Sequence, residues 1–193
     1  MASPEKIKKY QREKFENYKR INELKINNNE AYIELKVNKI QNILNDYTLK
    51  DKIKLKKEFF EEIEYRASYI PLDYPIVLEI YNDNFTSEEK IMIRRNIKNH
   101  FEFEAINRQT NLKAITRKST FFLIIGIIGF ALLVLLYKIN ARNYIEDIVS
   151  FLSSFSIWQF AELRIFEEDA IKEEIIRYKM LSKLRIVYNK EDS

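Results

Sequence analysis

The 193-residue chain has no cysteine, two glycines, three prolines, one histidine and one tryptophan. Without thiols there is no disulfide framework, no cysteine-ligated metal and no thiol catalysis. Two glycines cannot build a glycine-rich phosphate cradle, and neither a Walker loop nor a G-x-G-x-x-G run occurs. A lone His100 excludes a multi-histidine metal site; beside Phe101 and Phe103 it reads as a packed structural side chain. Glu102 follows it by two, with no further ligand. No G-x-S-x-G nucleophile elbow is present. The chain is therefore expected to be no enzyme, with no catalytic residues, no cofactor and no metal. The first twenty residues, MASPEKIKKYQREKFENYKR, lack the apolar core of a cleaved signal peptide. Abundant Ile, Lys and Asn with scarce Gly and Ala read as an AT-rich, bacterial codon bias.

What is present is one long apolar run, Thr120 to Tyr137, TFFLIIGIIGFALLVLLY. It carries no charge and no proline. As a helix it reaches ~27 Å, close to the ~30 Å hydrocarbon core of a bilayer. A soluble helix needs one apolar stripe, not apolar residues all round. The run therefore predicts a membrane span. The rest is polar: 32% of the chain is charged, with net charge +4 and pI about 9.0. Lys is interspersed with Glu and forms no dense basic stripe, so the excess fits anionic lipid better than nucleic acid, and no nucleic acid is expected.

The pattern along the chain divides it into four segments. Residues 1–30 form a charged helical arm that starts at Ser3-Pro4. Ile7, Tyr10, Ile21 and Leu24 lie at heptad-like spacing, but the arm reads as a solvated helix, with a coiled coil as the alternative. INNNE at 26–30 reads as a turn. Residues 31–118 form an α+β segment. Ala31 to Val37 alternates as a half-buried strand, and Thr48 with Asp51 marks a helix to Ile70, stopped by Pro71. Ile76 to Tyr81 is a second strand. Thr86 and Glu89 form a capping box for a helix with Ile91, Ile97, Phe101, Ala105 and Leu112 on or near one face, expected to run nearly unbroken into the apolar run, with a break around Thr110-Asn111 as the alternative.

Residues 119–161 are expected to be a two-span transmembrane helical hairpin, about 119–138 and 145–161. The second arm, IVSFLSSFSIWQFA from Ile148, is short, and a re-entrant or interfacial helix is the alternative. Gly126 and Gly129 face Ser150, Ser153 and Ser154 as small residues that let two membrane helices approach. Glu162 reads as an interfacial carboxylate that has already reached water; the alternatives are that it locks the hairpin by pairing with Arg164, Arg117 or Lys118, or lines an oligomeric pore. Glu146-Asp147 reads as a helix start or a pore mouth. Residues 162–193 form an amphipathic helix, with Leu163, Phe166, Ala170 and Leu181 apolar, and a strand at Leu184–Tyr188 that could join the first two.

Arg108, Lys113, Arg117 and Lys118 before the run, and Arg164, Lys172, Arg177 and Lys179 after it, outnumber Lys138 and Arg142 in the loop. Both termini are therefore expected in the cytoplasm, with the chain multi-pass in the bacterial inner membrane. Tyr137 and Tyr144 would mark one interface and Trp158 the other.

The stretch PIVLEIYNDNFTSEEKIMIRRNIKNHFEFEA, His100-Phe101 within it, and Ile157-Trp158-Gln159-Phe160-Ala161-Glu162 resemble a group of uncharacterised bacterial proteins. The resemblance covers roughly residues 31–188. It implies a small cytosolic α+β segment, two transmembrane helices and a charged amphipathic tail, and it implies no activity. The expected fold is mainly α, a two-span hairpin on a small α+β domain of two or three strands. The expected role is a non-enzymatic, membrane-anchored interaction or regulatory module, with the bilayer, a cytosolic protein and further copies of the chain as partners. The alternative is an oligomeric effector that permeabilises the bilayer or conducts ions. The residues singled out are Glu162, Arg164, Trp158, Gly126 and Gly129.

Overall fold

The computed structural model describes residues 13, 15–20, 25–27, 29–47, 53–82, 85–138 and 144–189. The chain divides into two compact units, one formed by 1–103 with 177–193 and the other by 104–176.

The first unit is built on a four-stranded sheet in the order β1 (Ile26–Asn27), β2 (Glu30–Lys36), β3 (Ile76–Tyr81), β4 (Arg185–Asn189). β1 and β2 pair antiparallel with Asn27 opposite Glu30, and Asn29 sits at φ 64°. Asparagine tolerates that left-handed backbone better than most residues. The INNNE turn therefore begins with a strand. β2 and β3 run parallel, Ile33 against Leu78, and β3 and β4 run parallel, Leu78 against Ile186. Strand alternation sends Ala31, Ile33, Leu35, Ile76, Leu78, Ile80 and Ile186 to one face, where they join the core. The sheet has four strands, against the two or three expected, because Ile26–Asn27 adds an edge and the tail strand docks on β3.

Helix α1 (Lys57–Ala67) buries Phe59, Phe60, Ile63 and Ala67 in this core. Thr48 and Asp51 lie outside the described residues, but the helix is shorter than the expected one: Leu55 bridges Leu44, Lys56 is extended at the helix start and Ser68 caps its end. Arg177 Nη1 donates to the carbonyls of Ala67 and Ile70, supplying a cation at the carboxyl end of the helix, where its dipole favours positive charge. Helix α2 (Ser87–Lys138) opens on the expected capping box. The Glu89 backbone N–H donates to Thr86 Oγ1 at 3.2 Å, and the Thr86 N–H donates to Glu89 Oε2 at 2.8 Å. The first unit takes its inward stripe from Ile93, Ile97 and Phe101, all 1% exposed or less. Ile91 is exposed instead, two positions and so about 200° round the helix from Ile93. No break occurs at Thr110-Asn111; the Thr110 hydroxyl donates to the Ile106 carbonyl inside a continuous helix.

The amino-terminal stretch 15–20 is helical and not simply solvated. Phe15 and Tyr18 are buried, with Phe15 5.2 Å from Tyr74 and Tyr18 stacked on Tyr69 at 4.1 Å. The heptad positions Ile7, Tyr10, Ile21 and Leu24 lie outside the described residues.

The second unit contains the rest of α2, helix α3 (Tyr144–Glu162), a π-helical turn (Leu163–Glu167) and the first turns of α4 (Glu168–Leu181). The expected two-span hairpin is not found. Among the described residues one helix, α2, is long and apolar enough to cross a membrane. α3 has 19 residues, too diluted by Glu146, Asp147, four serines, Gln159 and Glu162 to qualify as a second span.

The π turn also corrects the reading of the tail helix. A π turn holds about one residue more than an α turn, so it shifts the phase of everything after it. Leu163 and Glu168, five apart, are both buried, while Phe166 and Ala170, inward on an unbroken α period, are exposed.

Candidate membrane-embedded segment

The chemistry of the second unit starts with what α2 exposes. From Thr120 to Tyr137 every side chain except the two terminal ones is apolar or glycine, yet only 11% of its most apolar stretch is buried. Phe121, Ile124, Ile127, Ile128, Val134 and Leu135 are all more than half exposed. A contiguous apolar face of this size marks a surface made for lipid or for another protein.

α3 lies against one side of this run, and the contact is set by the two glycines. A methyl group added at Gly129 would stand 2.0 Å from Ser153 Oγ and 3.0 Å from its Cβ. One added at Gly126 would stand 2.5 Å from Ile157 Cδ1. Both glycines thus lie at a close approach of two helices, as small residues permit. Ser153 and Ser156 are buried, and their hydroxyls donate to their own helix, at 2.6 Å to the Val149 carbonyl and 2.8 Å to the Leu152 carbonyl. A buried hydroxyl satisfied in this way costs little. Ser150 and Ser154, the other small residues expected in the contact, are exposed. Glu146 and Asp147 occupy the first turn of α3, where negative charge is favourable. Trp158 is 63% exposed, with Ile148, Phe151, Leu152 and Phe155 also outward on α3.

Glu162 forms none of the ion pairs weighed for it with Arg164, Arg117 or Lys118 among the described residues. Its Oε2 accepts from Gln159 Nε2 at 2.9 Å, one turn back on the same helix. Arg164 turns the other way and meets Glu168 at 2.7 Å. Glu168 is 6% exposed and also accepts from Lys172 at 2.9 Å. One buried carboxylate between two cations just after the π turn is a network that sequence spacing could have suggested, since 164, 168 and 172 are four apart. The hydrogen bond to Glu168 and a second to Asp169 hold the Lys172 ammonium above the ordinary lysine range. Arg108 adds a further pair, 3.2 Å from Glu174.

Two polar clusters in the first unit were not legible in the sequence. On the sheet face opposite the core, Glu34 and Glu79 lie directly across from one another in register. Like charges so placed repel. Lys25 offsets this, 3.7 Å from Glu34 and 3.2 Å from Glu79, and Asn189 donates to Glu79 from β4. Glu79 raises the Lys25 pKa above its usual value, and burial, followed by the Glu34 charge, raises that of Tyr81. The second cluster surrounds His100. Its ring stacks on Phe60 at 3.8 Å, its Nε2 lies 3.5 Å from Glu64 Oε1, and Tyr178 Oη donates to Glu64 Oε2 at 3.4 Å. Three helices, carrying residues from 60 to 178, meet there, far too separated in sequence for spacing to reveal them. Among the described residues no group of three His, Cys, Asp or Glu side chains could hold a metal ion.

Comparison with protein-family models, with characterised proteins and with solved structures finds no match, so the likeness to a bacterial membrane group rests on its own short stretches of sequence.

Proposed function

We propose that this chain is a non-enzymatic interaction or regulatory module anchored in a membrane by the apolar half of α2. The supporting observation is the uncharged, outward-facing run from Thr120 to Tyr137 on a chain whose other unit has its own core. Connectivity adds a constraint. β3 precedes the helices and β4 follows them, yet the two are neighbours in one sheet. The whole of α2, α3 and α4 is one crossover between parallel strands, so the segments before and after the apolar run rejoin in one sheet. We read α3 as a re-entrant or interfacial helix sheltered against α2 by the Gly126 and Gly129 contact, and not as a second span. The excess of Arg and Lys on the flanks of the apolar run supports a cytoplasmic sheet unit.

The test is partition. The protein should float with phosphatidylcholine vesicles in a density gradient and resist alkaline carbonate extraction. Replacing Ile124, Ile128 and Leu135 by Glu should release it, since each charge in a span costs about 2.5–3.5 kcal/mol at mid-bilayer. A wild-type protein that stays monodisperse in detergent-free buffer and ignores vesicles would overturn the reading.

A second reading, the oligomeric conduit, has one observation in its favour. Asp147, Ser150 and Ser154 are exposed and fall on one stripe of α3, a polar seam that copies of the chain would bring together. Ion flux in proteoliposomes, lost in Ser150→Leu/Ser154→Leu, would support it; silent vesicles would leave the anchor.

A further inference from the structure

We infer that α2 carries a site for an anionic phospholipid at the edge of its apolar run, with Lys113 and Arg117 on the phosphate and Phe121 and Ile124 under the acyl chain. This rests on the membrane-anchored reading and gives it a specific ligand.

An open groove of about 590 Å³ runs along this part of the helix, lined among others by Lys113, Thr116, Arg117, Thr120, Phe121 and Ile124. Its two ends differ in chemistry. Lys113 and Arg117 are four apart and therefore neighbours on one helix face, both exposed. Two like charges one turn apart repel, and neither has an acidic partner among the described residues. Elsewhere on α2, Lys98 meets Glu102 and Arg108 meets Glu174. The Thr120 hydroxyl already donates to the Thr116 carbonyl at 2.8 Å, so the charged donors left for an anion are the ammonium and the guanidinium, with the Thr116 hydroxyl between them. One turn further on, the groove is Phe121 and Ile124, without a polar group.

Depth agrees with this division. The apolar run starts at Thr120. Arg117 and Lys113 precede it by three and seven residues, which is ~4.5 and ~10 Å along a helix axis. The polar layer of a bilayer extends ~5–7 Å beyond the hydrocarbon on each side. Arg117 falls within that layer, and Lys113 at its outer edge can reach back along its own stem. A fork of donors matches a phosphodiester, and the absence of any carboxylate in the groove leaves nothing to hold the choline of a zwitterionic lipid. Charge complementarity therefore selects a lipid such as phosphatidylglycerol.

The test is retention of lipid by the full chain in mild detergent, read by native mass spectrometry, with phosphatidylglycerol against phosphatidylcholine. Wild type should keep one phosphatidylglycerol with a roughly 10- to 30-fold preference, the contribution of two surface cations. Lys113→Gln/Arg117→Gln should lose that preference and still float with phosphatidylcholine vesicles. Lys118→Gln, a neighbouring cation outside the groove, should keep it. Soluble glycerol 3-phosphate should not displace the lipid. Equal retention of the two lipids, an equal loss in Lys118→Gln, or full displacement by glycerol 3-phosphate overturns the site while leaving the anchor intact. Failure of wild type to float with any vesicle overturns the anchor first.

Discussion

Gly129→Ala offers a test whose sign, not only its size, depends on the packing of α2 against α3. In an isolated helix this change stabilises by about 1 kcal/mol, because alanine loses less backbone entropy than glycine. Here the new methyl would meet Ser153 Oγ at 2.0 Å and Ser153 Cβ at 3.0 Å. The hydroxyl can swing aside, giving up its bond to Val149. The Cβ cannot, so the helices must separate by several tenths of an ångström. Overpacking of this kind costs about 1–3 kcal/mol. The two effects leave a net loss of about 1 kcal/mol, or roughly 2–4 °C in a chain of this size. Ser153→Gly removes both obstructing atoms and leaves Ser153's Cα position at 3.5 Å, an ordinary contact. The double variant should therefore recover stability relative to the sum of the singles, with a coupling of about 1–2 kcal/mol. Trp158, the one tryptophan and five residues beyond Ser153, reports thermal unfolding in detergent by fluorescence. Gly126→Ala is the control, since the atoms it meets first are the flexible end of Ile157, which can turn away. The reasoning is refuted if Gly129→Ala raises the midpoint and combines additively with Ser153→Gly.

Thr86→Ala removes the hydroxyl that accepts from the Glu89 N–H, while the backbone N–H of residue 86 can still donate to Glu89, and should cost about 1 kcal/mol, measured by urea denaturation followed by circular dichroism. Ile97→Ala deletes a side chain that is 1% exposed and should cost about 2–5 kcal/mol in the same assay, with Ile91→Ala close to neutral because that residue faces out. Burial pushes the Tyr188 hydroxyl up to about 12, with Arg94 opposing. A phenol whose folded pKa exceeds its unfolded value of about 10 contributes stability that is complete below pH 10 and lost as pH rises towards 12. With the ring only half buried the loss should stay near 1 kcal/mol, and Tyr188→Phe should flatten stability over that window.

Much of the local structure was legible because its causes lie a few residues apart. The alternation of Ile33, Leu35 and Val37 gave β2 and its buried face. Thr86 and Glu89 gave the start of α2, and a charge-free run gave its apolar half. The reading failed where distant segments decide. Counting Ile91 as inward mistook one apolar position for its neighbour on the other side of the helix. Phe166 was placed inside because nothing in the sequence announces a π turn. The second span was inferred from a stretch of 14 uncharged residues, whereas the helix that forms includes the acids at its start and the polar groups along it. Phe15 and Tyr18 looked like isolated aromatics on a charged arm until Tyr74 and Tyr69 gave them partners.

The sequence by itself determined that part of this chain must avoid water over a full helical run, since no fold gives eighteen nearly all-apolar residues a polar side. Only the tertiary structure decided that the strand beyond the helices returns to pair with β3, and hence that the apolar segment lies inside a crossover between two parallel strands of one sheet. That pairing joins Leu78 to Ile186 across more than a hundred residues. Its free energy comes from burying surfaces that neither segment can recognise from its own neighbours.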